Sequence, residues 1–249
     1  MNNISAYKIL AKHYDTVYHY QKPDSLKVDN YLANLIKLLK NQNRFLDVGC
    51  GTGIYTEKLE KNFETVYGID PSADMIKRTT DNSEAIFQKK YLHEFTGQNF
   101  DLITSFSQVL NHIVSYRELN RFVQIVSEKL EEGGLFCFDI FNYDFLINQD
   151  WVKQDRWRKE ERVLDENTKY IIDPHIEYKS EDYMLMVLNN TLIENDRKYL
   201  YDLEMYIWNE ELVHRLCENC GLSLVSRAGL LDLDTDADNS AKISLVFKK

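Results

Sequence analysis

At 249 residues the chain is long enough for one sizeable α/β domain carrying an insertion, and 44% hydrophobic with 28% charged residues is the balance of a packed globular protein. A formal net charge of -10 disfavours a nucleic-acid partner, because that field repels phosphate backbones. No apolar run is long enough to span a bilayer and the N-terminus lacks a signal-peptide pattern, so no membrane association and a cytoplasmic location are expected.

Ile4, Tyr7, Leu10, Tyr14, Val17 and Tyr18 recur at helical spacing and predict one apolar helix face near the N-terminus. A second helix is predicted from Asp24-Ser25, with Val28, Leu32, Leu35, Ile36 and Leu39 on one face and the polar run Lys40 to Asn43 after it. Phe45-Leu46-Asp47-Val48 then reads as a buried parallel strand with an acid near its carboxyl end. Gly49, Gly51 and Gly53 follow at alternate positions, ahead of a predicted helix from Ile54 to Leu59. A strand, glycine turn and helix in this order bring bare backbone up to a ligand. Thr65 to Asp70 is a second strand, and its terminal acid falls about 20 residues past the glycines, where a carboxylate takes ribose hydroxyls.

The glycine spacing is G-x-G-x-G with an acid two residues earlier, and differs from the G-x-G-x-x-G of dinucleotide sites. Asp47-Val48-Gly49-Cys50-Gly51-Thr52-Gly53 followed by Asp70 resembles motif I and the ribose-binding acid of the class I S-adenosylmethionine-dependent methyltransferases. The resemblance implies S-adenosylmethionine as cofactor, with S-adenosylhomocysteine as its product. It places the backbone of Gly49, Cys50, Gly51 and Gly53 against the methionine part, Asp70 on the ribose, and Asp47 behind, ordering the amino group directly or through water. Pro71 to Ile76 resembles the short helix that covers the adenine, with Met75 or Ile76 as the cover. After a third strand at Ala85 to Gln88, relatives place an Asp for the adenine amine, where this chain has Tyr91. The adenine wall is therefore expected from Tyr91, Leu92, His93 or Met75, with a backbone group, His93 or Glu94 as the polar contact.

Phe100 to Phe106 reads as the fourth strand, and ligands of open α/β sheets gather at such carboxyl ends. Ser105 and Phe106 there join the cofactor site by resemblance, and His112 follows just beyond. Ser115 with Glu118 forms a capping box for a helix bearing Leu119, Phe122, Val123, Val126 and Leu130, stopped by Gly133-Gly134. Leu135 to Ile140 is the fifth strand. From about Asp155 to Trp208 the helical period disappears, and β-rich runs are broken at Asp165-Glu166-Asn167 and Glu194-Asn195-Asp196. Asn209 caps a last helix, and Leu222 to Val225 and Ile243 to Phe247 finish the sheet. The fold class expected is α/β: a doubly wound, seven-stranded, Rossmann-like sheet with an antiparallel β insertion after the fifth strand. Residues 1–140 and 209–249 would be the cofactor-binding core and 141–208 an insertion roofing the acceptor site.

Cys50 and Cys137 sit in the glycine turn and in a strand, and Cys217-x-x-Cys220 lacks the second ligand pair of a closed zinc site, so no metal is expected. Asp234, Asp236 and Asp238 mimic the start of a calcium loop, but Asn239 and Leu245 stand where its glycine and bidentate glutamate belong. More finely, the opening helix with Tyr14-Asp15, the segment from Phe106-Ser107 to His112 and the insertion are similar to aminosugar N-methyltransferases, and the glycine/sarcosine type shares the plan. That likeness implies a small soluble acceptor, an amine in preference to a hydroxyl. His112 would be the base, and Tyr14 and Tyr7 would close the cofactor side. The insertion's tyrosines would either face a partly cationic acceptor or pack its layers. Arg156 or Arg158 could dock a nucleotide-linked sugar. O-methyl transfer and a non-catalytic cofactor-binding module are the alternatives, and a monomer or homodimer is expected.

Overall fold

The computed structural model describes residues 3–19, 25–153 and 159–249. Two short helices open the chain, α1 (Asn3–Leu10) and α2 (Tyr14–His19), followed by α3 (Ser25–Lys37). The single N-terminal helix expected from apolar spacing is thus broken at Ala11 to His13. The break has a packing cause. Ala6 and Leu10 on α1 and Val17 on α2 enter one apolar cluster against the insertion, while His13 Nε2 lies 3.3 Å from Glu194 Oε1 and Lys12 also pairs with Glu194.

The core sheet begins with β1 (Arg44–Val48), the glycine turn and α4 (Ile54–Leu59), then β2 (Thr65–Asp70), α5 (Ala73–Ile76), β3 (Ile86–Lys89) and β4 (Phe100–Ser105). Next come α6 (Tyr116–Lys129) and β5 (Leu130–Phe141). Ser115 caps α6 by accepting from the Glu118 N–H. The helix ends before the glycines rather than at them, because Leu130 already pairs with Phe100 and belongs to the strand. Gly134 serves a different need: a Cβ there would stand 2.8 Å from the Phe100 carbonyl oxygen, so only glycine lets the strands close at their register shift.

Beyond β5, α7 (Tyr143–Ile147) and α8 (Asp150–Lys153), which the sequence reading did not anticipate, lead into β6 (Glu160–Asp165), β7 (Thr168–Ser180), β8 (Tyr183–Glu194) and β9 (Arg197–Trp208). These four strands form an antiparallel sheet in sequence order. Asn195 and Asp196 take positive φ values of 48° and 63°, the geometry of a two-residue hairpin turn. The chain returns through α9 (Glu210–Asn219), β10 (Ser223–Gly229) and β11 (Lys242–Lys248). The seven-stranded sheet runs β10-β11-β5-β4-β1-β2-β3, with β11 antiparallel to both neighbours and the strands from β5 to β3 parallel. Apolar residues of α3 and α4 cover one face and those of α6 and α9 the other, which makes the sheet doubly wound.

Alternate residues of β7, β8 and β9 are buried, so one face of the insertion carries apolar side chains. Part of it packs under α1 and α2, and part under α7. Tyr201 donates to the Tyr170 hydroxyl and Tyr170 to Asn190 Oδ1, each at 2.9 Å, within this buried layer. Asn111, fully buried after β4, ties the two sheets together: its Nδ2 donates to the Tyr206 carbonyl at 2.7 Å and its Oδ1 accepts from the Phe141 N–H at 3.1 Å.

The acidic run between β10 and β11 is spent on its own turns. Asp232 accepts from Lys27 and Thr235 at 2.7 and 2.6 Å, Asp236 caps a short 3₁₀ turn, and Asp238 pairs with Arg227 at 2.7 Å. Cys217 is fully buried in the core and Cys220 ends α9. Among the described residues there is no metal-binding cluster of acidic, His and Cys side chains, and no helix is long and apolar enough to cross a membrane.

Replacing Tyr170 with Phe removes the hydroxyl between Tyr201 and Asn190 and leaves buried polar atoms short of a partner. Urea unfolding is expected to show a loss of about 1–3 kcal/mol, read as a lower midpoint at unchanged slope.

Candidate active site

Two adjoining cavities open at the carboxyl ends of β1, β2, β4 and β5. The larger, about 870 Å³, reaches from the glycine turn to the apolar face of the insertion; the smaller, about 550 Å³, lies over the end of β2. Tyr7, Tyr14, Gly49, Gly51, Phe106, Ser107 and His112 line both and form the wall between them.

The turn after β1 has Gly49, Gly51 and Gly53 at φ 72°, 57° and 89°. Gly49 is held by its N–H bond to the Ile69 carbonyl at 2.8 Å, and a Cβ there would stand 2.5 Å from Val109 Cγ2. Glycine is therefore required both for the left-handed backbone and for the close approach of the segment after β4. Asp47 lies buried beneath. Its two oxygens accept from the Thr56 and Thr104 hydroxyls at 2.6 and 2.8 Å, and burial pushes its carboxyl up to about 6.

Asp70 terminates β2 on the smaller cavity. It accepts from the Ser72 N–H at 2.7 Å and the Gly51 N–H at 3.1 Å, and burial raises its carboxyl from 3.8 to about 6. Pro71, Met75, Tyr91, Leu92 and His93 line the same space. Met75 is 2% exposed and packs against Gly51, while Tyr91 is partly open to solvent and stacks on His93. Glu94 does not reach the cavity: its carboxylate accepts from the Tyr91 N–H at 2.9 Å. Glu118 and Glu204, which the sequence reading did not place here, do line it.

His112 sits on the shared wall with its Nε2 3.0 Å from the Tyr7 hydroxyl, and burial lowers it to about 4, so the ring is neutral near pH 7. Tyr7, Tyr14 and Tyr18 pack in succession as tilted ring pairs, with centroids 6.1 and 4.9 Å apart, and burial raises all three phenols. Asp15, next to Tyr14, accepts from the Thr52 hydroxyl at 2.8 Å and latches α2 to the glycine turn.

Two residues assigned to the cofactor are not brought to either cavity. Ser105 is fully buried, with its hydroxyl donated to the Val48 carbonyl at 3.1 Å, because its side chain points into the sheet. Gly53 caps α4 and lies against the Phe87 ring. Of the two readings open for the insertion's tyrosines, packing between layers is the one seen for Tyr170, Tyr201, Tyr183 and Tyr206. Tyr170 and Tyr201 are core residues, and Tyr183 stacks on Tyr206 at 4.2 Å. Strands β7, β8 and β9 contribute aliphatic and methionine side chains to the large cavity, β6 adds Glu160 and α8 adds Trp151, while the cavity's tyrosines come from α1, α2 and α4. Arg156 and Arg158 lie outside the described residues.

The sequence reading missed a polar group at the end of β5. Fully buried Asp139 accepts from the Gln108 backbone N–H at 3.4 Å and from the Gln108 side-chain amide, and Lys242 Nζ donates to Gln108 Oε1 at 3.0 Å. Ser107 and Gln108 are both non-glycine residues at positive φ, 64° and 60°, a strain typical of functional turns. The signal for Asp139 was present: like Asp47 and Asp70, it is an acid at the carboxyl end of an apolar strand.

The sequence model described as a methyltransferase domain matches residues 19–190. The chain belongs to the class I S-adenosylmethionine-dependent methyltransferases. A putative methyltransferase of Geobacillus sp. (strain WCH70) is 32% identical over 118 residues, covering 45% of this chain and 47% of that one. The dTDP-3-amino-3,4,6-trideoxy-alpha-D-glucopyranose N,N-dimethyltransferase of Streptomyces venezuelae is 25% identical over 154 residues, covering 61% and 65%. The match thus spans 47% and 65% of these two relatives' own length. The crystal structure of an S-adenosylmethionine-dependent methyltransferase from Clostridium acetobutylicum ATCC 824 shares the fold at TM-score 0.78, with 20% identity and 98% of each chain covered.

The methyltransferase's residues fit the family's cofactor. A carboxylate offers about four lone-pair sites, and Asp70 spends two on Ser72 and Gly51, which leaves acceptors for a pair of ribose hydroxyls beside a cavity of about 550 Å³. Gly49→Ala is expected to cost at least about 2 kcal/mol, from the left-handed backbone and the Val109 clash, measured by urea unfolding of the ligand-free protein.

Proposed function

We propose that this protein transfers a methyl group from S-adenosylmethionine to an amine nitrogen of a small acceptor. In this reading adenosine occupies the smaller cavity, with Asp70 on the ribose and Pro71, Met75, Tyr91 and Leu92 around the base. The Gly49 to Gly51 backbone and Cys50 lie against the methionine part, with Asp47 ordering the turn beneath. The acceptor enters the larger cavity under the insertion, residues 141–208. When bound, the cofactor supplies a methyl carbon activated by a positively charged sulfur.

The chain's own task is orientation and exclusion of water, and fixing two reactants can be worth about 7–11 kcal/mol. Tyr7, Tyr14 and Phe106 close the wall between the cavities. The Thr52–Asp15 bond and the docking of α1 and α2 on the insertion hold that wall in place.

The observation that favours nitrogen over oxygen is the state of His112. Lowered to about 4, it lacks the basicity to strip an alkyl hydroxyl, whose pKa is near that of water at about 15.7. An aliphatic ammonium near pKa ~10.4 lies far closer, and it supplies its own free-base lone pair. Neutral His112 passes the proton released after transfer on to water without retaining it, with Tyr7 fixing its ring. The likeness to an aminosugar N,N-dimethyltransferase supports the same acceptor atom.

Two measurements test this. Calorimetry with S-adenosylhomocysteine should show Asp70→Ala binding about 10–100-fold more weakly, the loss of charge-assisted hydrogen bonds of roughly 1.5–3 kcal/mol. The ionised, accepting form of Asp70 exists above about 6 and is lost as pH falls through it, so wild-type affinity should decline below that pH while Asp70→Asn stays weak and flat. Equal affinity in wild type and Asp70→Ala removes the ribose assignment. Release of S-adenosylhomocysteine with matched alkylamines and alcohols reads the second point. His112→Ala should lower kcat about 10²–10⁴-fold on amines with the cofactor affinity unchanged, and turnover on alcohols alone would refute nitrogen transfer.

A further inference from the structure

We infer that the acceptor is amphipathic, with an apolar body lying against the insertion and an anionic oxygen group held by Lys242; this deepens, and rests on, the acceptor cavity proposed above. Trp151 and the Arg162-paired Glu160 are on the lining of that cavity, and the part of its roof formed by β7, β8 and β9 consists of Ile172, Pro174, Met186, Leu188, Leu203 and Met205. Cross-strand pairs join them into one surface: Pro174 opposes Leu188, Leu188 opposes Leu203, and Met186 opposes Met205. None of these side chains donates a hydrogen bond, and a thioether is at best a weak acceptor. A polyhydroxylated ring pressed on this surface would lose the hydration of its hydroxyls without replacement. An alkyl or aryl body instead gains from burial of its apolar area, and unbranched methionines adapt to its shape.

The floor carries the opposite chemistry. Lys242 lies at the start of β11 with its ammonium 5.2 Å from the centre of the Phe141 ring. Among the described residues its one hydrogen bond goes to Gln108 Oε1, a neutral amide oxygen. The neighbouring carboxylate of Asp139 is taken up by the Gln108 amide and by the backbone N–H groups of Ser107 and Gln108, and it makes no ion pair with Lys242 within 4 Å. An ammonium has three donors, so two remain for a ligand at the cavity wall. Asp139 acts on Lys242 as a counter-charge from beyond 4 Å and is bridged to it by the Gln108 amide. The ammonium's direct partner is still neutral, and its remaining donors suit an anion through charge-assisted bonds. Carboxylate and phosphate share that chemistry.

Calorimetric titration of the S-adenosylhomocysteine-saturated protein separates body from head, using octanoate, octyl phosphate, 1-octanol and glucose 6-phosphate as probes. One of the two octyl anions should bind about tenfold or more tightly than 1-octanol, and more tightly than glucose 6-phosphate. The tighter octyl anion names the head as carboxylate or phosphate. Lys242→Met should erase the preference over 1-octanol without changing S-adenosylhomocysteine affinity, and Lys242→Arg should keep it and guard against a folding defect in the Met variant. Met205→Gln should weaken octanoate and 1-octanol alike. Tighter glucose 6-phosphate overturns the apolar body. Octyl anion binding that is absent, or undiminished in Lys242→Met, overturns the anion site. A failure of the wild type to bind S-adenosylhomocysteine would fall on the cofactor reading instead, and that titration is run first.

Discussion

The site depends on burying carboxylates where strands end. Asp47, Asp70 and Asp139 stand at the carboxyl ends of β1, β2 and β5, and burial raises all three above the ordinary carboxylate value. A buried carboxylate is costly unless donors surround it. Each is compensated differently: Asp47 by two threonine hydroxyls, Asp70 by two turn N–H groups, and Asp139 by the strained Ser107–Gln108 turn. Those compensations shape the loops. The Asp47 donors come from α4 and β4, so the acid couples the glycine turn to the strand beside it. The Asp139 donors pull the segment after β4 into left-handed backbone, and His112 follows within the next few residues.

The second constraint is closure. The N-terminal helices have few contacts of their own, and their apolar residues are satisfied on the insertion rather than on the core sheet. Arg162 on β6 makes a bidentate pair with Glu160, both bonds at 2.8 Å, and donates to the Val17 carbonyl at the end of α2. The cation thus satisfies a helix-terminal carbonyl that would otherwise lack a partner. Asp15 links the same helix to Thr52 of the glycine turn. The tyrosines that wall the two cavities are therefore held between the insertion and the cofactor turn.

Much of this was legible in the chain where causes are local. The strands ending in Asp47 and Asp70, the glycine turn, the Ser115 and Asn209 caps and the insertion hairpins all follow from short-range patterns, and each lies within a residue or two of its expected place. What was not legible is assembled from afar. The break between α1 and α2 reflects packing on strands near residue 170 and beyond, and the end of α6 reflects pairing of Leu130 with Phe100. Ser105 could be placed at the right edge by strand position, but not on the right side of its strand. Lys242 meets Gln108 across 134 residues of chain, and no motif marks either one.

The insertion shows why aromatic content alone does not decide a role. Its tyrosines left two readings open, a lining for a cationic acceptor or packing between layers; strand alternation decides which side chains face inward, and packing decides which of those meet a layer above. Tyr170 and Tyr201 fall where α1 and α2 cover the sheet, so their rings fill the core and their hydroxyls pair with each other. Between those helices and α7 the same face lines the large cavity, and there the inward residues are Pro174, Met186, Leu188 and Met205, the two methionines also packing with residues of α7. That part of the lining carries no side-chain hydrogen-bond donor, whereas Gln108, Asp139, Lys242 and His112 line the same cavity at the ends of the core strands.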